Sequence, residues 1–465
     1  MVNILENIDF NNILNVIKPT QEENEKVKSL SDRLINIINR IAKENSIDAE
    51  ATLVGSVAKG TWLSGKADVD IFMKFPLSTS EADLKRYGLE LGSKCIDEMH
   101  GKHELRYASH PYITGFIEGF EIDFVPCYII KSAEELKSAV DRTILHTEYV
   151  LAKLREKQKD EVLLLKKFMG SIHTYSAEFK VGGFSGYLCE LLIIHYGSFL
   201  NVLNAASNEW RPNYKIDIEE YGTGELFSEP LVVIDPTDKN RNVAAALKLQ
   251  KMSEFIVASR NFLTNPKEGY FFDKYVEINK DEIKTEFESR ETKTCLIRFK
   301  PPEIPADALY PQIKKTENSL KGVLEREDFK VFNADSWTDE SQNVIILLEM
   351  EIWKLPRVKK HLGPFVWSKG HQIKFMEKYN NNAYVEENRW VAEVDRKYKE
   401  VKPFLDNILV ENKIGFLKFG KHIKAEILKE YEIVDILEFM GSDKCSEDML
   451  LFFYEYLNKN VYLWR

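Results

Sequence analysis

Two features of this chain could do chemistry together: a Gly55-Ser56 pair, and three acidic residues at Asp68, Asp70 and Asp123. The pair offers backbone N–H groups and a hydroxyl to phosphate oxygens. Asp68 and Asp70 lie in Ala67-Asp68-Val69-Asp70-Ile71-Phe72-Met73, which alternates apolar and polar as a half-buried strand does. Period two puts both carboxylates on one face, with Val69, Ile71 and Met73 on the other. Two hard oxygen ligands beside a phosphate cradle describe a magnesium–nucleotide site.

An isolated Asp-x-Asp on a strand is as readily a solvated face, and the third acid decides between the two. Phe120-Glu121-Ile122-Asp123-Phe124-Val125-Pro126 is a second alternating segment. With residues 112–117 and a turn at Glu118-Gly119 it predicts a β-hairpin. Asp123 stands between Ile122 and Phe124, where a carboxylate is costly unless it is paired or bound to a metal. The Gly-Ser lead-in and three carboxylates point to nucleotidyl transfer.

Other residues could complete such a site. Thr143 and His146 share one face at the start of a helix, where a histidine serves equally as a cap or core residue. Lys59, three residues after Ser56, and Lys166, after the run Leu163-Leu164-Leu165, could supply the point charge a triphosphate attracts. A lysine beside an apolar helix is also an ordinary solvated edge. Tyr175 follows Lys166 by nine residues. Arg241, in a segment expected as a loop entering a helix, presents a planar fork suited to a base edge or to a salt bridge at the helix start. The stretch Arg357, Lys359, Lys360, Phe365, Trp367, Lys369, Lys374 and Phe375 combines cations with aromatics. It could meet an RNA backbone and stack on a terminal base, or be surface lysines over core rings.

These residues need a frame. Thr20 and Glu23 have capping-box spacing before a helix over 20–44, with apolar residues from Val27 to Ile41 at helical intervals. A strand over 50–54, the Gly-Ser turn, the Asp-x-Asp strand, a helix over 80–99 and the hairpin over 105–130 follow. That order predicts a small α/β domain with a mixed sheet, ending near residue 150. Residues 133–205 read as mainly helical, 231–234 as a buried strand ending at Asp235-Pro236, and 242–258 as helix. From 294 a β-α-β-β run is expected: a strand, a helix over 306–326, then strands over 328–334 and 342–353. The last 65 or so residues alternate short pieces, and neither an internal repeat nor a low-complexity linker is found.

At 465 residues the chain predicts several domains, and no apolar run approaches the ~20 residues of a membrane span. Residues 1–6 lack the basic start and apolar core of a signal peptide. Cys95, Cys127, Cys189, Cys295 and Cys445 are odd in number and scattered, which argues for reduced thiols in the cytoplasm and against structural zinc. The net charge of −10 disfavours a protein coated in nucleic acid and favours small-molecule or protein partners, although a local basic patch can coexist with it.

The run Gly55-Ser56-Val57-Ala58-Lys59-Gly60-Thr61-Trp62-Leu63-Ser64-Gly65-Lys66-Ala67-Asp68-Val69-Asp70-Ile71-Phe72 resembles the signature of class I, archaeal-type CCA-adding enzymes, tRNA nucleotidyltransferases of the polymerase-β superfamily. Asp141-Arg142-Thr143, His146-Thr147, Gly182-Gly183-Phe184-Ser185-Gly186-Tyr187-Leu188-Cys189-Glu190-Leu191-Leu192, and Asp235-Pro236 through Arg241-Asn242-Val243-Ala244 resemble further family blocks in family order. The resemblance covers essentially the whole chain. It implies an α+β multidomain fold: a polymerase-β-type head (1–150), a helical neck with an α/β body (151–290), a β-α-β-β, RNA-binding tail (291–385) and a C-terminal segment returning to the body (386–465).

By the same resemblance, C, C and A are added in sequence to the tRNA 3′ end from CTP and ATP, without a template. Asp68, Asp70 and Asp123 are then carboxylates for two Mg2+ ions. Gly55, Ser56, Lys59, Thr143, His146, Lys166 and Tyr175 hold the triphosphate and ribose, and Arg241 reads the incoming base. Lys59 stands where many relatives have Arg, and Ile172-His173-Thr174-Tyr175 matches loosely. A cytoplasmic homodimer, with tRNA, ATP and CTP as partners and no membrane, is the expected setting. The rivals are a poly(A)- or oligoadenylate-type polymerase, a catalytically silent RNA-binding protein on the same fold, and a small-molecule nucleotidyltransferase.

Overall fold

A computed structural model describes residues 8–107, 111–176 and 181–465, which divide into two compact units. The first comprises the described residues up to Tyr275 with Asn460–Arg465, and the second Val276–Lys459.

The first unit opens with α1 (Phe10–Ile17) and α2 (Gln21–Glu44), the latter started by the expected capping box: Thr20 Oγ1 accepts the Glu23 N–H, and Glu23 accepts the Thr20 N–H. Then come β1 (Glu50–Val54), α3 (Gly55–Lys59), β2 (Asp68–Phe75), α4 (Glu81–Glu98), β3 (Lys102–Tyr107), β4 (Pro111–Ile117) and β5 (Phe120–Tyr128). The five strands form one sheet in the order β1-β2-β5-β4-β3. β2 and β5 pair in parallel and the other neighbours are antiparallel, so the sheet is mixed as expected. One face, bearing Val69, Ile71, Met73, Ile122 and Phe124, packs on α2 and α4. The other face is apolar only at one end, where Phe72, Val125 and Cys127 meet Ile144. At the opposite end it carries the acids.

Helices α5 (Arg142–Lys153), α6 (Glu156–Ser171), α7 (Gly186–Tyr196) and α8 (Phe199–Asn208) follow, then β6 (Tyr214–Ile216), β7 (Leu231–Asp235), β8 (Asp238–Asn242) and α9 (Leu249–Thr264). A core of Phe168, Phe184, Phe199, Phe255, Phe262 and Phe271 joins them, and Leu463 near the C-terminus is buried in it. The helix expected from 242 starts at 249 instead. Asn242 is the reason: its side chain accepts the N–H groups of Val233 and Ala244 and donates to Leu231 O, which holds that segment as a strand and turn. No single helix among the described residues is long and apolar enough to cross a membrane.

The second unit contains α10 (Lys280–Ser289), β9 (Lys293–Phe299), α11 (Ala306–Arg326), β10 (Lys330–Thr338), β11 (Val344–Ile352), β12 (Val358–Phe365), α12 (Lys369–Tyr379), β13 (Ala383–Glu386), β14 (Arg389–Asp395), α13 (Val401–Ile408), α14 (Glu411–Ile414), α15 (Lys421–Lys429), β15 (Glu432–Asp435), α16 (Ile436–Met440) and α17 (Glu447–Leu457). The expected β-α-β-β run is there, in an antiparallel sheet ordered β10-β11-β9-β15. Strand β11 is buried on both faces, by α11, α13 and α15 on one side and by α10, α16 and α17 on the other, which is why it reads as an unbroken apolar run. A second sheet, β12-β14-β13, spans the boundary expected at 385. The chain rejoins the first unit only at Asn460–Arg465, because β15 and α17 complete the second unit's core.

Candidate active site

The parallel register of β2 and β5 sets Asp70 directly beside Asp123, and Asp68 beside Glu121. In-register neighbours share a face, so Asp68, Asp70 and Asp123 converge from one side of the sheet. The backbone closes over them at Gly55. Its φ of +73° lies in the left-handed region, and a Cβ there would meet Asp70 Oδ2 at 2.0 Å. Only glycine allows both the turn and the approach. The expected Gly-Ser turn is thus the first turn of α3. It is tied to α5 by the Gly55 N–H donating to Thr147 Oγ1 (3.4 Å), which itself donates to Thr143 O.

The acids crowd one another. Burial first, then Asp123 and Asp68, pushes the Asp70 carboxyl up to about 7. Burial and Glu121 raise Asp68. Burial raises Asp123 despite the hydrogen bond donated by Thr114 Oγ1 at 2.6 Å. None of the three makes a salt bridge among the described residues. Crowded carboxylates that stay above the usual carboxylate range, although Lys59, Lys66 and Arg106 act on them from a distance, suit a divalent ion. Among the described residues no group of three or more His, Cys, Asp or Glu side chains is disposed to hold a metal ion by itself. An open edge of carboxylates, its remaining ligands coming from substrate phosphates, is how magnesium is ordinarily held.

Two buried anions organise the other expected residues. Glu190, fully buried on α7, pairs with Lys59 Nζ at 2.6 Å and accepts Thr61 Oγ1 at 2.6 Å. Lys166 Nζ donates to Thr61 O at 2.9 Å and lies 3.5 Å from Glu190. Lys166 is not the solvated edge its place after an apolar run allows, and Lys59 is buried beside it. Burial lowers the Lys59 pKa, against which Glu190 acts, while Lys166 and Lys59 hold Glu190 below the usual carboxylate range against its burial. Tyr175 is brought beside Lys166 across the start of α7: a Cβ on Gly186 would lie 3.1 Å from the Tyr175 hydroxyl and 3.4 Å from Lys166 Nζ.

The second anion is Asp235, fully buried at the end of β7. It meets His146 Nε2 at 2.9 Å, accepts Arg241 Nη1 at 2.7 Å and Tyr187 Oη at 3.3 Å, and accepts both the backbone N–H and the hydroxyl of Thr237. These donors hold it well below the usual carboxylate range in spite of its burial. The His146 ring stacks on Tyr187 at 3.9 Å, and burial keeps its pKa down. Arg241 lies on β8, not on a loop entering a helix, and its partner is Asp235. Asp141, in a block the sequence matched, has a structural task. It accepts the N–H groups of Tyr128, Lys137 and Ser138 and fixes the segment before α5. Sequence reasoning gave Glu190, Asp235 and Tyr187 no role. A lone acid inside the apolar run of α7 is the one local signal that could have found Glu190.

A mixed sheet with three carboxylates at one end, a Gly-Ser turn above them and flanking helices defines a polymerase-β-type nucleotidyltransferase. Family models agree along the chain: a nucleotidyltransferase domain over residues 34–146, the second domain of tRNA nucleotidyltransferase over 160–272, and the C-terminal domain of the CCA-adding enzyme over 290–435. The CCA-adding enzyme of Methanothermobacter thermautotrophicus is 50% identical, over 92% of this chain and 94% of its own. Those of Methanosarcina barkeri and Methanosarcina mazei are each 39% identical, over 91% and 92% of this chain and 92% and 93% of theirs. The chain belongs to the CCA-adding enzyme family. Among solved structures, an RNA terminal U-transferase aligns with 57% of this chain and 98% of its own at 16% identity and TM-score 0.45. Enzymes of the polymerase-β type work with a divalent metal.

Proposed function

We propose that this protein adds C, C and A in sequence to the 3′ end of tRNA, from CTP and ATP and without a nucleic-acid template. The observation that carries the reading is Asp70 beside Asp123 under the Gly55 turn, in a chain that follows CCA-adding relatives over nearly its whole length. Asp68, Asp70 and Asp123 would hold Mg2+, two ions in this reading, which when bound supplies Lewis-acid activation of the 3′-hydroxyl and neutralises the leaving pyrophosphate.

The protein's own groups do the rest. Gly55 lets the backbone turn close over the acids, Ser56 offers a hydroxyl to the triphosphate, and Lys59 and Lys166 add positive charge. Thr143, Tyr175 and His146 hold the phosphates and ribose. With Asp235 accepting at Nε2, the neutral His146 ring keeps Nδ1 free to accept from a ribose hydroxyl. Arg241, fixed through one nitrogen, has donors left for the edge of the incoming base. In this reading the head ends near residue 150, the neck and body near 290, and the tail beyond them meets the tRNA. The five free thiols, four of them buried, suit the cytoplasm. The working assembly is a homodimer, which light scattering on the purified protein reads directly.

The test is incorporation of labelled CTP and ATP, separately and together, into tRNA lacking its last three nucleotides. Two C residues from CTP alone and one A only after both are expected. Long A tails from ATP alone would make it a poly(A)-type enzyme, and no incorporation would leave an RNA-binding protein.

A further inference from the structure

Where α3, α6 and α7 meet, two lysines and one glutamate are sealed from water. Glu190 has no exposed surface, and the Lys59 and Lys166 side chains are 7% and 3% exposed. One carboxylate balances one ammonium, so the cluster keeps one positive charge in excess. A buried charge is costly unless an anion meets it. The anion in electrostatic reach of Lys59, besides Glu190, is Asp70. Stability alone does not account for Glu190. It sits among buried Leu188, Cys189, Leu191, Leu192 and Ile193, where an apolar residue would pack without desolvating a charge. Its partners come from the segment between the Gly-Ser turn and the Asp-x-Asp strand and from α6, so it joins parts of the site far apart in sequence.

We propose that Glu190 is a positioning residue for nucleotidyl transfer: it clamps Lys59, Thr61 and Lys166 into one group that presents a single positive charge to the triphosphate of the incoming nucleotide. The proposal rests on the active-site reading above. Glu190 does not touch the nucleotide; it acts through the lysines. A lysine held in place before the nucleotide arrives gives up little rotamer freedom on binding it, which is the gain from the clamp.

The test uses the full-length protein and nucleotide KM values for CTP and ATP. Glu190→Gln keeps the size of the side chain and removes the charge. It should raise KM for both nucleotides by about 10-fold, the scale of one charge-assisted hydrogen bond, lower kcat less, and leave KM for tRNA unchanged. Lys59→Met should raise nucleotide KM as well, and the double variant should lose clearly less than the product of the two single effects, because part of what Glu190 does passes through that lysine. Thr61→Val removes one hydrogen bond without unpairing a charge. It serves if Glu190→Gln does not fold, and it should raise nucleotide KM about 3-fold. Additive losses, unchanged nucleotide KM in the soluble variants, or a KM for tRNA that rises in step with that for nucleotide would overturn the clamp. Asp70→Ala is the control for the underlying reading: activity in that variant sinks the active site itself, whereas a dead Asp70→Ala beside an unaffected Glu190→Gln sinks only the clamp.

Discussion

Asp70→Asn should kill catalysis and stabilise the metal-free head. Asp70 is half-buried beside Asp123 and Asp68, and burial with those charges pushes its carboxyl from 3.8 up to about 7. A carboxyl whose pKa is higher in the folded than in the unfolded chain keeps protons that the unfolded chain has released. Stability is therefore lost as pH rises from about 4 to about 7. At about 1.36 kcal/mol per unit, the full shift corresponds to about 4 kcal/mol at neutral pH. Partial exposure, and an amide that still needs hydrogen-bond partners, reduce the expected gain to about 2 kcal/mol. A chain of two units has no single unfolding free energy, so the assay is native-state hydrogen exchange of the β2 and β5 amides in metal-free protein from pH 4 to 8. The variant should be better protected at pH 7 and indistinguishable from wild type near pH 4. Mg2+ at ten times its Kd should then stabilise wild type by about 1.4 kcal/mol and the variant far less. Equal or weaker protection of the variant at pH 7 would refute mutual repulsion of the carboxylates, and with it the physical case for a metal there.

Gly55→Ala puts a Cβ 2.0 Å from Asp70 Oδ2 at a φ of +73°; nucleotide addition should fall at least 100-fold, checked by single-turnover kinetics, while circular dichroism stays near wild type. Asp235→Ala leaves His146 and Arg241 without their buried partner, a loss of about 3–5 kcal/mol that thermal unfolding of the first unit should register. The milder Asp235→Asn should lower the His146 pKa further, since Asp235 is what holds it up against burial; an NMR titration showing a rise would contradict the assignment. In the second unit, Trp367 is exposed and stacks flat on Phe365 (5.1 Å, 5°), with the Arg389 guanidinium 4.0 Å above that ring. Trp367→Ala should weaken tRNA binding by about 1–3 kcal/mol in a filter-binding assay and leave nucleotide KM unchanged.

The amino-acid sequence by itself determined the acids and their strands. Alternation around Asp68, Asp70 and Asp123 is a local pattern, and a charge between Ile122 and Phe124 is anomalous wherever the chain folds. The capping box at Thr20 and the continuous apolar run of β11 were legible for the same reason: their cause lies within a few residues. Other features depend on partners far along the chain. Arg241 became a strand residue because Asn242 bonds back to β7, which overrides a local pattern that favours helix. Lys166 reads equally as a solvated edge and Lys59 as a free phosphate contact, because nothing near either shows that Glu190, 131 positions from Lys59, is folded against both. The boundary expected at 385 falls inside a sheet because β13 pairs with a strand that follows it. Side-chain type and short-range periodicity therefore fixed which groups could hold a metal and a phosphate. Tertiary packing alone decided which charges meet, because a buried ion pair exists only once two distant segments have excluded water together.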